Sequence, residues 1–166
     1  LVVLHPGASD LRRRWPAASF AQVGDRLAET GARVVVTGVE KEADVCAAVV
    51  EGMRAEVVNT CGQLSLSGLT GLLARASVVI ANDTGPRHLA EAVGTATVGI
   101  YWCGNVINAG PATSARHRTA IAWRLTCPVC GFDNTFGRCE HNDSFVADIT
   151  SSEVMELAFD LLAVCP

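Results

Sequence analysis

The sequence holds no apolar run approaching the roughly 18 residues of a membrane helix, which excludes a helical span. Basic side chains are in deficit, 13 against 17 acidic ones for a net charge of −4. A dedicated nucleic-acid binder needs the opposite balance. Aromatics are scarce at 5%, so Trp15, Trp102 and Trp123 read as core or pocket-wall packing, not as a sugar-stacking platform. Gly-x-Gly-x-x-Gly is missing, which argues against hydride transfer, and Gly-x-Ser-x-Gly is missing too, which removes the usual hydrolase elbow. No repeat or low-complexity tract interrupts the 166 residues. Neither an initiator Met nor a signal peptide precedes Leu1-Val2-Val3-Leu4, which already reads as a strand, so the chain has the look of a piece of something longer. What is present is apolar, 49% against 18% charged, the composition of a folded globular domain.

Element types alternate along the chain. Leu1–Leu4, Val34–Val36, Glu56–Asn59, Ser77–Ala81, Thr97–Trp102 and Thr119–Trp123 are short and β-branched or apolar, the pattern of strands covered on both faces. Helical stripes lie between them. Phe20, Val23, Leu27 and Ala28 follow Pro16 and stop at Gly31, and Ala43, Cys46, Ala47 and Val50 mark a helix from Glu40 to Gly52. Ser65 is placed to cap Leu66, Leu69, Leu72 and Leu73, while Pro86 opens a helix through Leu89, Ala90 and Val93 to Gly94. A last helix from about Ser152 to Val164 carries Val154, Leu157, Ala158, Leu161 and Leu162. The polar stretch between Trp102 and Thr119 reads as a loop, and Thr126–Ser144 as a loop held by its own cysteines. Strand–helix alternation of this kind predicts an α/β fold, a doubly wound Rossmann-like parallel sheet.

In such a sheet ligands bind beyond the carboxyl ends of the strands. The first strand ends in His5-Pro6-Gly7-Ala8-Ser9, with Arg12, Arg13 and Arg14 just beyond. Glycine for close backbone approach, a hydroxyl and guanidinium groups suit a pyrophosphate. The fourth ends in Asn82-Asp83-Thr84-Gly85-Pro86-Arg87-His88, which opens a helix whose free N–H groups favour an anion. Thr84 can donate to a phosphate oxygen, and His88 stands one turn in. Asp83 would repel phosphate and is better suited to sugar hydroxyls. After the second strand comes Gly38-Val39-Glu40-Lys41-Glu42, an acidic position that often holds ribose. Together these ends describe a pocket for a nucleotide diphosphate bearing a polar group. They do not form a complete catalyst.

Seven cysteines are many and odd in number. Cys46, Cys61, Cys103 and Cys165 lie among apolar residues and read as buried small hydrophobes in a reducing compartment. Cys127, Cys130, Cys139 and His141 cluster, in Cys-x2-Cys and Cys-x-His spacing that can hold a structural zinc. A disulfide and packed, reduced thiols remain open beside it. A catalytic dithiol lacks thioredoxin-like surroundings.

These residues resemble glycosyltransferase family 9, the lipopolysaccharide heptosyltransferases. The likeness rests on His-Pro-Gly-Ala-Ser with Arg13-Arg14-Trp15-Pro16, Gly38 with Glu42, Gly62-x-Leu64-Ser65-Leu66, and Asn82-Asp83-Thr84-Gly85-x-x-His88-Leu89-Ala90. It runs in order from Leu1 to about Trp102, and the tail from Arg124 onward is similar to the cysteine loop and last helix of many members. The resemblance implies that residues 1–166 are one nucleotide-sugar-binding domain, the C-terminal half of a GT-B enzyme, with the cysteine loop over about Arg124–Phe145. It further implies ADP-heptose as donor, an inverting displacement with no required cofactor, and a lipopolysaccharide-type glycan or lipid A-core acceptor. Ser9 and Arg13 would contact the diphosphate, Arg13 standing where the family often has Lys. Glu42 would hold the ribose, Leu64 and Ser65 would sit by the adenine, and Asp83 would bind sugar hydroxyls. Thr84, Gly85 and His88 would contact the diphosphate and the nearby sugar. The family's general base belongs to an N-terminal domain that this sequence does not contain, so this chain is expected to bind donor without transferring sugar. A cytoplasmic location, with peripheral association at the inner face of the cell membrane, follows from the same resemblance. A non-catalytic nucleotide-binding module and a zinc-loop interaction module are the competing classes.

Overall fold

The computed structural model describes residues 1–164. Six parallel strands form one sheet: β1 Val2–His5, β2 Val34–Val36, β3 Val57–Asn59, β4 Val78–Asn82, β5 Ala96–Trp102 and β6 His117–Ala122. Their order is β3-β2-β1-β4-β5-β6, the doubly wound arrangement in which the crossovers reverse direction between β1 and β4. Val2 pairs with both Val34 and Val78, which fixes the central register. Among the described residues six α-helices flank the sheet: α1 Ala17–Glu29, α2 Ala43–Gly52, α3 Leu66–Ala74, α4 Gly85–Ala92, α5 Cys103–Ala109 and α6 Ser151–Val164.

The period of two along each strand divides the core. Val2, Leu4, Val34, Val36, Val78 and Ile80 face Phe20, Val23, Leu27, Val49, Val154 and Ala158 of α1, α2 and α6. Val3, Val35, Val79 and Ala81 face Leu73 and Ala90 of α3 and α4. Both faces of β1 and β4 are therefore dry, which is why these strands read as unbroken apolar runs.

Several boundaries differ from expectation. Glu40–Glu42 form a 3-10 turn, and α2 starts only at Ala43, because the Glu42 carboxylate folds back to accept the Val39 N–H at 3.0 Å. The expected loop after β5 contains α5. Its Gly-Asn-Val-Ile-Asn sequence shows no helical stripe and low helix propensity. Tertiary contacts supply what propensity lacks: Arg87 and the Tyr101 hydroxyl both donate to the last carbonyl of α5, Ala109 O, at 2.6 and 3.0 Å. β6 begins two residues earlier than expected and ends at Ala122, leaving Trp123 74% exposed outside the core. Trp15 is buried as expected, donating from Nε1 to Ile149 O at 2.8 Å. Cys46 and Cys103 are buried, but Cys61 is partly exposed, and Cys165 lies outside the described residues.

Candidate functional site

A cavity of about 490 Å³ opens at the carboxyl ends of β1, β2 and β4, beside the point where the strand order reverses. It is lined by Ser9, Arg13, Glu42, Asp83, Thr84, Gly85 and His88, all seven expected there, together with His5, Lys41 and Asn105 among others. Leu64 and Ser65 do not line it. Their turn adjoins its rim, since Gly62 N–H donates to Gly38 O at 2.9 Å and an added Cβ at Gly62 would meet Glu40 at 3.5 Å. The Ser65 hydroxyl is engaged as the N-cap of α3, accepting from Gly68 N–H at 3.1 Å.

Asn82 holds the first loop in place. Fully buried, it accepts from Trp15 N–H at 3.0 Å and donates to Pro6 O at 2.8 Å. The loop after β1 is thereby tied to the end of β4. Gly7 permits a second close approach: an added Cβ would stand 2.1 Å from the Glu42 carboxyl carbon. The group that occupies the space beside Gly7 is thus the Glu42 carboxylate, where the sequence pointed to a ligand. Gly85 is different, because nothing lies within 4 Å of its missing Cβ. The opening turn of α4 is bare toward the cavity, and Thr84 makes no side-chain capping bond.

Asp83 is the electrostatic centre. Arg13 donates to its Oδ2 at 3.0 Å and Asn105 to the same oxygen at 2.8 Å. Arg87 and His88 stand 3.9 and 3.8 Å from Oδ1. Arg13 also reaches the Ser9 hydroxyl at 3.4 Å. The cavity thus presents Arg13, Lys41, His88 and the positive end of α4 to an anion, with Asp83 and Glu42 as acceptors for hydroxyl groups. Burial lowers the basicity of His5, whose Nε2 lies 3.8 Å from Glu42 and whose Nδ1 has no hydrogen-bond partner.

Arg87 and Asn105 escaped prediction from the sequence, as did the places of His5 and Lys41 in the cavity wall. Arg87 is entirely buried, ion-paired with Glu91, and its guanidinium lies 4.9 Å over the Tyr101 ring. Its i,i+4 spacing to both Asp83 and Glu91 was the available signal. Asn105 gave none, because it sits on the unforeseen α5.

The cysteine loop is separate from this cavity. The side-chain donor atoms of Cys127, Cys130, Cys139 and His141 all lie within 4.8 Å of one another, an arrangement compatible with a metal ion. The N–H groups of Cys130 and Val129 at the Cys127 sulfur, with help from the neighbouring thiols, bring its thiol down to about 7.

A doubly wound sheet whose switch point opens on an anion-favouring, hydroxyl-accepting cavity defines a Rossmann-like α/β class of domain. Within that class, the model of glycosyltransferase family 9 (heptosyltransferase) matches residues 1–127, so the chain belongs to this family. Lipooligosaccharide heptosyltransferase 2 of Haemophilus influenzae is 29% identical over 93 residues, covering 54% of this chain and 27% of that protein. A family 9 glycosyltransferase from Veillonella parvula superposes with a TM-score of 0.83 at 24% identity, over 98% of this chain and 46% of that one. The E. coli ADP-heptose lipopolysaccharide heptosyltransferase II does so at 0.77 and 23%, again over 98% and 46%. The chain thus spans less than half the length of these relatives.

Proposed function

We propose that this chain is the donor-binding half of an inverting glycosyltransferase that moves a heptose-like sugar from ADP to a lipopolysaccharide or related glycan acceptor. The observation that carries this reading is the meeting of Arg13, Ser9, Thr84, Gly85 and His88 around one cavity, with Asp83 and Glu42 among them. In the proposed complex Arg13, Ser9 and the α4 N-terminus hold the diphosphate, and Glu42 accepts from the ribose hydroxyls. Leu64 and Ser65 flank the adenine from the rim, and Asp83 accepts from the sugar. The name of the E. coli relative supports ADP-heptose as the donor class.

Charge builds on the departing diphosphate as the glycosidic bond breaks, so cations that bind it more tightly in the transition state accelerate transfer. A helix N-terminus contributes about 0.3–2 kcal/mol to an anion. Arg13 adds its charge and His88 a hydrogen-bonding ring nitrogen, and this route needs no divalent metal. No residue of the Cys127–His141 cluster lines the cavity. The base that takes the acceptor proton belongs to the other half of the enzyme, so this chain alone binds donor and transfers nothing. The full enzyme works in the cytoplasm, against the inner face of the membrane where its acceptor is built.

Calorimetric titration with ADP, using UDP and GDP as controls, tests the reading. ADP is expected to bind saturably and selectively. Arg13→Ala is expected to weaken it by roughly 10- to 150-fold, the worth of a charge-assisted hydrogen bond of about 1.5–3 kcal/mol. No binding of any of the three, to this chain or to the full-length enzyme, overturns it.

A further inference from the structure

The segment between β6 and α6 rejoins the core at Phe145, Val146 and Ile149, but the stretch before them, over about 125–143, has no core of its own. Leu125, Val129, Phe132 and Phe136 are all exposed, and its only strand-like pairing is the bridge between Thr126 and Asp133. Something other than apolar burial must hold it. Its first turn is Cys127-Pro128-Val129-Cys130-Gly131. Gly131 adopts a left-handed conformation, φ 72°, that an L side chain would resist. With it the turn closes on itself: Gly131 N–H donates to Cys127 O at 3.0 Å, and Cys127 N–H to Phe132 O at 2.8 Å. The closed turn aims Val129 N–H at Cys127 Sγ at 3.4 Å. N–H groups directed at sulfur stabilise a thiolate, the form of cysteine that binds metal.

Cys139 and His141 then arrive from the far side of the loop, and four donor atoms from four residues converge within 4.8 Å. A disulfide would use two of them and give no reason for the imidazole. His141 Nδ1 is buried with no hydrogen-bond partner, a cost that a coordinate bond through that nitrogen removes. We infer that Cys127, Cys130, Cys139 and His141 form a tetrahedral structural site for zinc. Three thiolates and one imidazole form a complete set for zinc and leave no position open for a substrate.

The site also bears on the nucleotide cavity, and this consequence rests on the reading proposed above. Just past His141 the chain is stitched to the arginine loop: Ser144 Oγ donates to Arg14 O at 2.6 Å and Phe145 N–H to Arg12 O at 2.7 Å. Arg12 lies 5.0 Å over the Phe145 ring. Arg13, between these two anchored residues, is the cation aimed at the diphosphate. A metal-fastened loop therefore stiffens the turn that presents Arg13.

Metal analysis of the purified chain, with cobalt(II) replacing the native ion after chelation, tests the site without any nucleotide. The expected result is one zinc per chain, and for the cobalt form the intense visible bands of tetrahedral thiolate coordination. Cys130→Ser, at an exposed position, is expected to lose metal while keeping its far-UV circular dichroism. Cys61→Ser, outside the cluster, is expected to keep both. Metal-free protein whose cobalt spectrum lacks those bands, or equal metal retention by Cys130→Ser, overturns the site. Stoichiometric iron in place of zinc overturns the choice of metal. Nucleotide affinity, compared before and after chelation, should fall several-fold. An unchanged affinity in a zinc-binding chain removes the link to Arg13 and leaves the metal site standing.

Discussion

Arg13 and Arg87 both face Asp83, yet they differ in what surrounds them. Arg13 keeps a quarter of its side chain exposed, while Arg87 is sealed in with Glu91, Tyr101 and the end of α5. Losing one partner of a buried pair strands the other charge, at a cost of about 3–5 kcal/mol. Arg87→Ala should therefore destabilise the fold by that order in urea unfolding, whereas Arg13→Ala should act chiefly on nucleotide affinity. His5 sets a pH dependence. Burial, opposed by Glu42 and assisted by Arg14, holds its folded-state pKa below 6.5. The unfolded chain then takes up a proton that the folded one refuses, so stability is lost as pH falls below about 6.5. Replacing His5 with Asn should flatten that decline below about pH 6.5, and a slope equal to the parent's would contradict the assignment.

Elements with their own stripe and caps were legible in the sequence. α1 carries Phe20, Val23 and Leu27 on one face, and α3 begins at the Ser65 cap foreseen for it. Ser65→Ala should cost about 1 kcal/mol of unfolding free energy, the usual worth of such a cap. α5 was not legible, because its last carbonyl is satisfied by Arg87 and Tyr101 from elsewhere in the chain. The 3-10 turn at Glu40–Glu42 escaped for a similar reason: a side chain reaching back to Val39 N–H leaves no mark in periodicity. Site residues followed the same division. Ser9, Arg13, Glu42 and Asp83 stand at strand ends that the alternation of elements located, whereas Asn105 depends on a helix that only tertiary contacts create. Gly7 was noticed for close approach, but the group approaching it is Glu42.

At the scale of the molecule, alternation alone predicted the doubly wound sheet, since right-handed crossovers leave few other orders. The sheet brings residues 5–13, 39–42 and 83–88 to one end, and that convergence is the basis for the donor-binding role proposed for this half. On the function proposed above, sugar transfer should be undetectable with this chain alone and present in the full-length enzyme. Turnover by the isolated chain would mean that the base lies among the residues described. The cavity assignment itself is tested most directly by mapping ADP onto the backbone amide resonances of the chain. Shifts centred on Ser9, Arg13, Thr84, Gly85 and His88 are predicted. A second cavity, of about 380 Å³, lies near the start of β2 and is lined by Ala28, Gly31, Arg33 and Val58 among others. Shifts centred there, with the strand-end residues unmoved, would contradict the account.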